Sequence, residues 1–225
     1  MEQLVIIGAG GFAREIYGYF RAATDVRREA IVFKGYLDVE PESINVFGEG
    51  VHLGIESRYV LSAEDRFLLG MADVSKRAAI LAEYFTRGWP SLNVIHPSAT
   101  IDSSAVIGIG NVIGPHCHIG ANVRMGNHNV LNFGCSVGHD SQVGDNNVLA
   151  SGVQIGGYVQ MNDDNFYGIS AAIIPRIRIG SGNKVQAGTT VTANIGENAF
   201  YFHRDINKVA HIFANGTPSV AIDQQ

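Results

Sequence analysis

From Ile95 to Val191 the hydrophobic pattern has a period of six. Steps of six from Ile95 reach Ile101, Ile107, Ile113, Ile119, Met125, Leu131, Val137, Val143, Leu149, Ile155, Met161, Tyr167, Ile173, Ile179, Val185 and Val191. All 17 positions are apolar, with no insertion to interrupt the count. This period fits neither a helix, at 3.6, nor a strand, at 2. It is the signature of a hexapeptide β-helix. Each hexad supplies a short strand and a corner, three hexads close one 18-residue coil, and the stacked apolar residues fill a continuous interior. Glycine follows the ladder residue in nine hexads, between Gly108 and Gly180, where tight corners favour it. Four places after the ladder residue the pattern expects small inward side chains, as at Ala99, Ala105, Cys117, Cys135 and Ala171.

Before residue 93 the pattern is different. Gln3 to Ile7 is short, apolar, β-branched and ended by glycine, which predicts a buried strand. Gly8, Gly10 and Ala13 then form a G-x-G-x-x-A turn that opens an amphipathic helix to about Ala23. In that context the motif is a nucleotide-binding fingerprint, with helix N–H groups and a positive dipole end offered to a phosphate. A second strand, Ile31 to Leu37, ends at Asp38, where a carboxylate is placed to meet a ribose or base. A third, Arg66 to Met71, brings Gly70 to the same edge, and a helix is expected from Val74 to Thr86. Trp89-Pro90-Ser91 breaks the pattern. The predicted architecture is mixed: a Rossmann-like α/β domain over 1–92, a parallel β-helix over 93–200 and a tail over 201–225. About 90 residues make half a Rossmann unit, which suits a mononucleotide or nucleotide sugar better than NAD. The bland alternative is a glycine turn that only packs helix on strand.

Composition narrows the classes. The 225 residues carry a net charge of −5, and no basic run points to nucleic acid. No apolar run reaches the roughly 18 residues that span a membrane. The opening MEQLVIIGAG lacks a basic n-region, so a signal peptide is not expected and the chain reads as cytoplasmic. Cys117 and Cys135 make no metal motif and read as reduced, small hydrophobes. Among His116, His118 and His128 the spacing matches no standard metal site.

Departures from the repeat mark candidate chemistry. Asn132 stands in a glycine slot, and Val137-Gly138-His139-Asp140 follows one hexad later. His139 is expected to face outward beside Gly157, one coil on. A histidine is a base near neutral pH, the aspartate can orient its ring, and an open Gly157 N–H can meet an oxyanion. From spacing alone His139 stands little ahead of His116 or His118. Small outward residues leave flat faces, and oligomerisation is expected.

Four segments together resemble the bacterial nucleotide-sugar acetyltransferases of the left-handed β-helix superfamily, the sialic-acid O-acetyltransferase-like sugar acyltransferases. They are Ile7-Gly8-Ala9-Gly10-Gly11, Tyr36-Leu37-Asp38, Ile95-His96-Pro97-Ser98-Ala99 and Val137-Gly138-His139-Asp140. The resemblance implies a left-handed coil and a homotrimer with interfacial active sites. It implies a nucleotide-linked amino sugar held by Gly11, Phe12, Ala13, Asp38, Val39 and Gly70, with Asn132 placing the sugar. It implies acetyl-CoA as co-substrate, with no metal, lined by Gly157, Ile169 and Ala187. His139 matches the general base and Asp140 the acid that raises its basicity. The expected reaction is N-acetylation of a UDP-, dTDP- or GDP-linked amino-dideoxy sugar at a 4-amino group. The alternatives are O-acetylation of sialic acid or another sugar hydroxyl, and a non-catalytic trimer of the same fold. Three departures stand out: Phe12 and Val148 replace frequent family histidines, and Tyr201 to Ala214, expected to form a helix over the prism end, precedes Gly216-Thr217-Pro218-Ser219.

Overall fold

A computed structural model describes residues 1–27, 31–39, 51–84, 87–203, 210–212 and 218–220. Its larger part is a parallel β-solenoid of the left-handed β-helix type. Two-residue strands recur every six residues and pair with strands 18 residues away, as in Val130↔Val148 and Leu131↔Leu149. Three faces result, of seven, six and five strands. The predicted ladder is the core: Ile113, Leu131, Val137, Leu149, Tyr167 and Val191 have no exposed surface. Only the first coil, at Ile95, Ile101 and Ile107, is partly open.

The second inward slot corrects the expectation of small apolar side chains. In every third hexad it holds asparagine: Asn111, Asn129, Asn147, Asn165 and Asn183, all fully buried. Each side-chain oxygen accepts the backbone N–H of the residue one coil on, at 2.8 Å for Asn111 to Asn129 N and 3.0 Å for Asn147 to Asn165 N. Buried amides are thereby satisfied where a corner would otherwise leave an N–H unpaired.

The N-terminal residues form a four-stranded parallel sheet in the order β3 (Val51–His52), β2 (Ile31–Leu37), β1 (Glu2–Ile7), β4 (Asp65–Leu69). Helix α1 (Gly11–Arg27) runs a turn longer than expected, and α2 (Val74–Glu83) ends before Thr86, which lies outside the described residues. Asp73 caps α2, accepting from the N–H groups of Ser75 at 3.0 Å and Lys76 at 3.1 Å. The edge strand β3 was not anticipated; it is two residues long and has no period to read.

Two contacts seat this sheet on the solenoid. Ile16, Tyr17 and Phe20 of α1 pack on the outward valines of the seven-stranded face, Val94, Val112, Val130 and Val148. On α2, the buried Arg77 donates to the Asn146 side chain at 2.8 Å, to the carbonyls of Leu69 and Met71, and to that of His128. Burial alone lowers its pKa to about 9. Among the described residues, no helix is long and apolar enough to cross a membrane. The tail segment expected as helix contains a strand instead, Ala210–Ile212, paired antiparallel with Pro218–Val220; most of the rest of the tail lies outside the described residues.

Candidate functional site

The corner after the six-stranded face carries the densest chemistry. His139 is more than half exposed, and its Nδ1 lies 2.8 Å from Asp140 Oδ2. The Asp140 carboxyl is held below its usual range by the His139 hydrogen bond first and by Asn122 second. Asn122 Nδ2 donates to the other carboxylate oxygen at 3.1 Å. With Nδ1 carrying the proton, Nε2 is the free, basic nitrogen. A Cβ built on Gly157 would lie 2.9 Å from that Nε2, so glycine one coil on is what leaves the ring its space.

The Gly157 N–H is also open. None of the hydrogen bonds among the described residues uses it. The same corner position one coil on is Pro175, which has no side chain able to accept. An unpaired backbone donor and a basic nitrogen at the same corner are the two groups that a developing oxyanion and a departing proton require.

Three neighbours escaped sequence reasoning. Asn122, Asp140, Tyr158 and Arg176 occupy one corner slot in successive coils, all with positive φ of 57 to 67°. Such a backbone costs a bulky residue about 1–2 kcal/mol, so tyrosine and arginine are uncommon there. The Tyr158 ring meets His139 edge-on at 5.1 Å, and the Arg176 guanidinium covers Tyr158 at 4.5 Å. Stepping 18 residues from Asp140 in each direction would have found them.

The remaining candidates fall into two other places. Gly11, Phe12, Asp38, Val39 and Gly70 line a cavity of about 510 Å³ at the N-terminus of α1. The first turn of α1 has no acidic side chain to compete for its free N–H groups. Lys76 and Glu56 are the other charged side chains that line it. Asp38 is partly committed, since its Oδ2 accepts the Ala9 N–H at 2.7 Å. Ala13 is buried away from the cavity, and its Cβ abuts Gly70, where an added methyl would come within 2.7 Å. These two residues let helix and strand approach.

Phe12 also lines a second, apolar cavity of about 470 Å³ on the outer seven-stranded face, with Asn132, Val148, Ile169 and Ala187. Asn132 is therefore not beside His139 within one chain. Its oxygen accepts from Tyr19 Oη at 2.7 Å, and its nitrogen donates to Glu15 at 3.1 Å. Burial and the nearby Glu15 carboxylate push the Tyr19 phenol up to about 12. The three histidines weighed as metal ligands separate: His118 meets Thr100, His116 packs on Phe133, and His128 is partly buried with its pKa lowered to about 4 by desolvation and Arg77.

The fold is that of bacterial nucleotide-sugar N-acetyltransferases of the hexapeptide-repeat, left-handed β-helix kind. PerB from Caulobacter crescentus, solved with CoA and GDP-perosamine, is 25% identical over 90% of this chain and 95% of its own, with a TM-score of 0.77. A variant of perosamine N-acetyltransferase from the same organism, also with CoA and GDP-perosamine, is 22% identical over 99% and 98%, with a TM-score of 0.78. The acetyltransferase domain of PglB from Neisseria gonorrhoeae, in complex with acetyl coenzyme A, is 21% identical over 90% and 96%, with a TM-score of 0.76. No family model and no curated protein matches the sequence.

Proposed function

We propose that the protein is an acetyl-CoA-dependent N-acetyltransferase acting on a nucleotide-linked amino-dideoxy sugar, with His139 as general base. One observation carries the reading: His139 is held by Asp140 through Nδ1 while Nε2 faces the open Gly157 corner. The acceptor amine gives a proton to Nε2 as its lone pair attacks the thioester carbonyl carbon. The Gly157 N–H donates to the oxyanion that forms, and the C–S bond breaks to release the thiolate, which the proton neutralises. Asp140 holds the tautomer and stabilises the imidazolium. Coenzyme A supplies the activated acetyl group, and this chain supplies base, donor and binding surface.

The N-terminal sheet acts as a Rossmann-like half-unit over residues 1–92. The diphosphate meets the α1 N-terminus at Gly11 and Phe12, and Asp38, Val39 and Gly70 frame the nucleoside, while Ala13, buried behind them, is not a ligand contact. Phe12, shared by both cavities, lies where the sugar passes from one to the other. The apolar groove suits the methylene-rich arm of coenzyme A, with Ile169 and Ala187 along its rim.

The split between the His139 corner and the Asn132 groove supports a homotrimer. A copy related by threefold rotation brings its groove against the His139 corner of the next, and the site forms between them. The test is a thiol-release assay over amino and hydroxyl sugar nucleotides carrying UDP, dTDP or GDP. Turnover with a 4-amino sugar nucleotide is expected, and His139→Ala should lower it by about 10² or more. Turnover with hydroxyl sugars only would establish O-acetylation instead, and an unaffected His139→Ala rate would remove this histidine from the mechanism.

A further inference from the structure

Asn132 is held in a way that leaves its end of the groove short of a hydrogen-bond acceptor. Its Oδ1 accepts from the Tyr19 hydroxyl at 2.7 Å and from the Phe133 N–H at 2.7 Å. Both lone pairs are thereby used, and the Phe133 N–H, which can only donate, fixes which way the amide faces. Its Nδ2 donates to Glu15 Oε2 at 3.1 Å. Asn132 therefore offers a ligand an N–H and no oxygen. No carboxylate lines the apolar groove itself. Beside Asn132, Glu15 is exposed, and among the described residues its second oxygen has no partner. Phe12, Glu15 and Tyr19 fall three and four residues apart on α1, on one stripe of the helix. The stripe starts at the residue that both cavities share and ends on Asn132. The helical rise sets Glu15 about 6 Å along the axis from Gly11, close to the breadth of one sugar ring.

Building on the transferase reading above, we propose that Glu15 selects an amine over a hydroxyl acceptor by taking the amine's second hydrogen. A primary amine carries two N–H donors and one lone pair, and a hydroxyl carries a single O–H donor. During attack the lone pair meets the thioester carbon and one hydrogen passes to the His139 Nε2 that faces the groove. The other N–H donates to the Glu15 carboxylate, which also steadies the positive charge that grows on nitrogen as the C–N bond forms. Glu15 takes no proton, because the amide product keeps that hydrogen. A hydroxyl spends its one hydrogen on His139. Its oxygen lone pairs then face the carboxylate, and a charged acceptor is left unpaired. Asn132 cannot substitute for Glu15, since Tyr19 and Phe133 already fill its oxygen.

The test uses the full-length chain and its variants with 4-amino sugar nucleotides and their 4-hydroxy counterparts, each carrying UDP, dTDP or GDP. Acetylation is followed by thiol release and binding by calorimetric titration. The parent should bind the amino member of a pair about tenfold more tightly than the hydroxy member. Glu15→Leu should lower kcat/KM for the amino member by about 10- to 10²-fold and abolish the preference, with the hydroxy member bound within about twofold of the parent. Glu15→Gln keeps a neutral acceptor and should lose only severalfold. Tyr19→Phe loosens Asn132 and leaves the carboxylate in place, so it should weaken both members alike. An equal loss of both members in Glu15→Leu overturns the proposal, since a merely structural carboxylate would give that result. A Glu15→Leu variant that keeps the preference overturns it too. A parent that prefers the amino member through Glu15 but acetylates no sugar sinks the transferase reading and leaves amine selection standing. A parent that binds the two members equally, or binds neither, sinks amine selection.

Discussion

Two corners of the solenoid use the same backbone slot in opposite ways. After the five-stranded face, each corner N–H is taken by a side chain one coil on: Ile109 N by Asn127 Oδ1, Asn127 N by Asp145 Oδ1, Asp145 N by Asp163 Oδ1. After the six-stranded face the equivalent residues are Ala121, His139, Gly157 and Pro175, and none caps the coil before it. The next slot repeats the contrast. His128 and Asn146 are packed under α2 and joined to Arg77, whereas Asp140, Tyr158 and Arg176 surround an exposed imidazole. The first corner spends its polar groups on holding the two halves of the chain together. The second withholds them from the backbone, and that leaves the Gly157 N–H unpaired and the imidazole exposed.

If the second corner is organised for chemistry, crowding it should cost rate and not stability. Gly157→Ala places a methyl about 3 Å from the His139 ring, and kcat should fall by about 10² with the melting temperature unchanged. An unchanged kcat would erase the functional half of the contrast. The first corner should behave in reverse. Asp163→Ala strips the cap from Asp145 N, and denaturant unfolding should show a loss of about 1 kcal/mol with turnover intact. A third effect, confined to acid pH, concerns His128. Its pKa is about 4 in the folded chain against 6.5 ordinarily, so the unfolded chain takes up the proton first as pH falls. The stabilisation is full above pH 6.5 and is lost as pH falls toward 4. His128→Asn should flatten the stability profile between pH 7 and 5, and a profile that keeps its slope would detach His128 from the docking corner.

Legibility in the sequence followed periodicity. The ladder from Ile95 to Val191 could be read because each coil repeats the one before, and the same ruler put His139 beside Gly157. It failed where distance in sequence says nothing about distance in space. Asn132 lies seven residues before His139 yet turns the other way, toward Tyr19 and Glu15 more than 100 residues upstream. Arg77 reads as an ordinary helix cation until its acceptors on Leu69, Met71, His128 and Asn146 are seen together. The glycine motif showed the shape of the first turn, but not that Gly70 is glycine because Ala13 and Ile6 leave it no room.

The buried asparagines bear on how the chain finds its register. The apolar ladder repeats every six residues, so a slip by one hexad would keep every hydrophobic side chain inside. The asparagines repeat every 18, from Asn111 to Asn183, and the same slip would move each amide out of the column in which its oxygen meets the N–H of the next coil. Burying an unpaired amide costs about 1–3 kcal/mol, and several would be stranded at once. The column acts as a key that distinguishes three otherwise interchangeable faces. A length change of six or twelve residues within the repeats should therefore misfold the chain or be extruded at a corner, while a whole added coil of 18 fits without conflict.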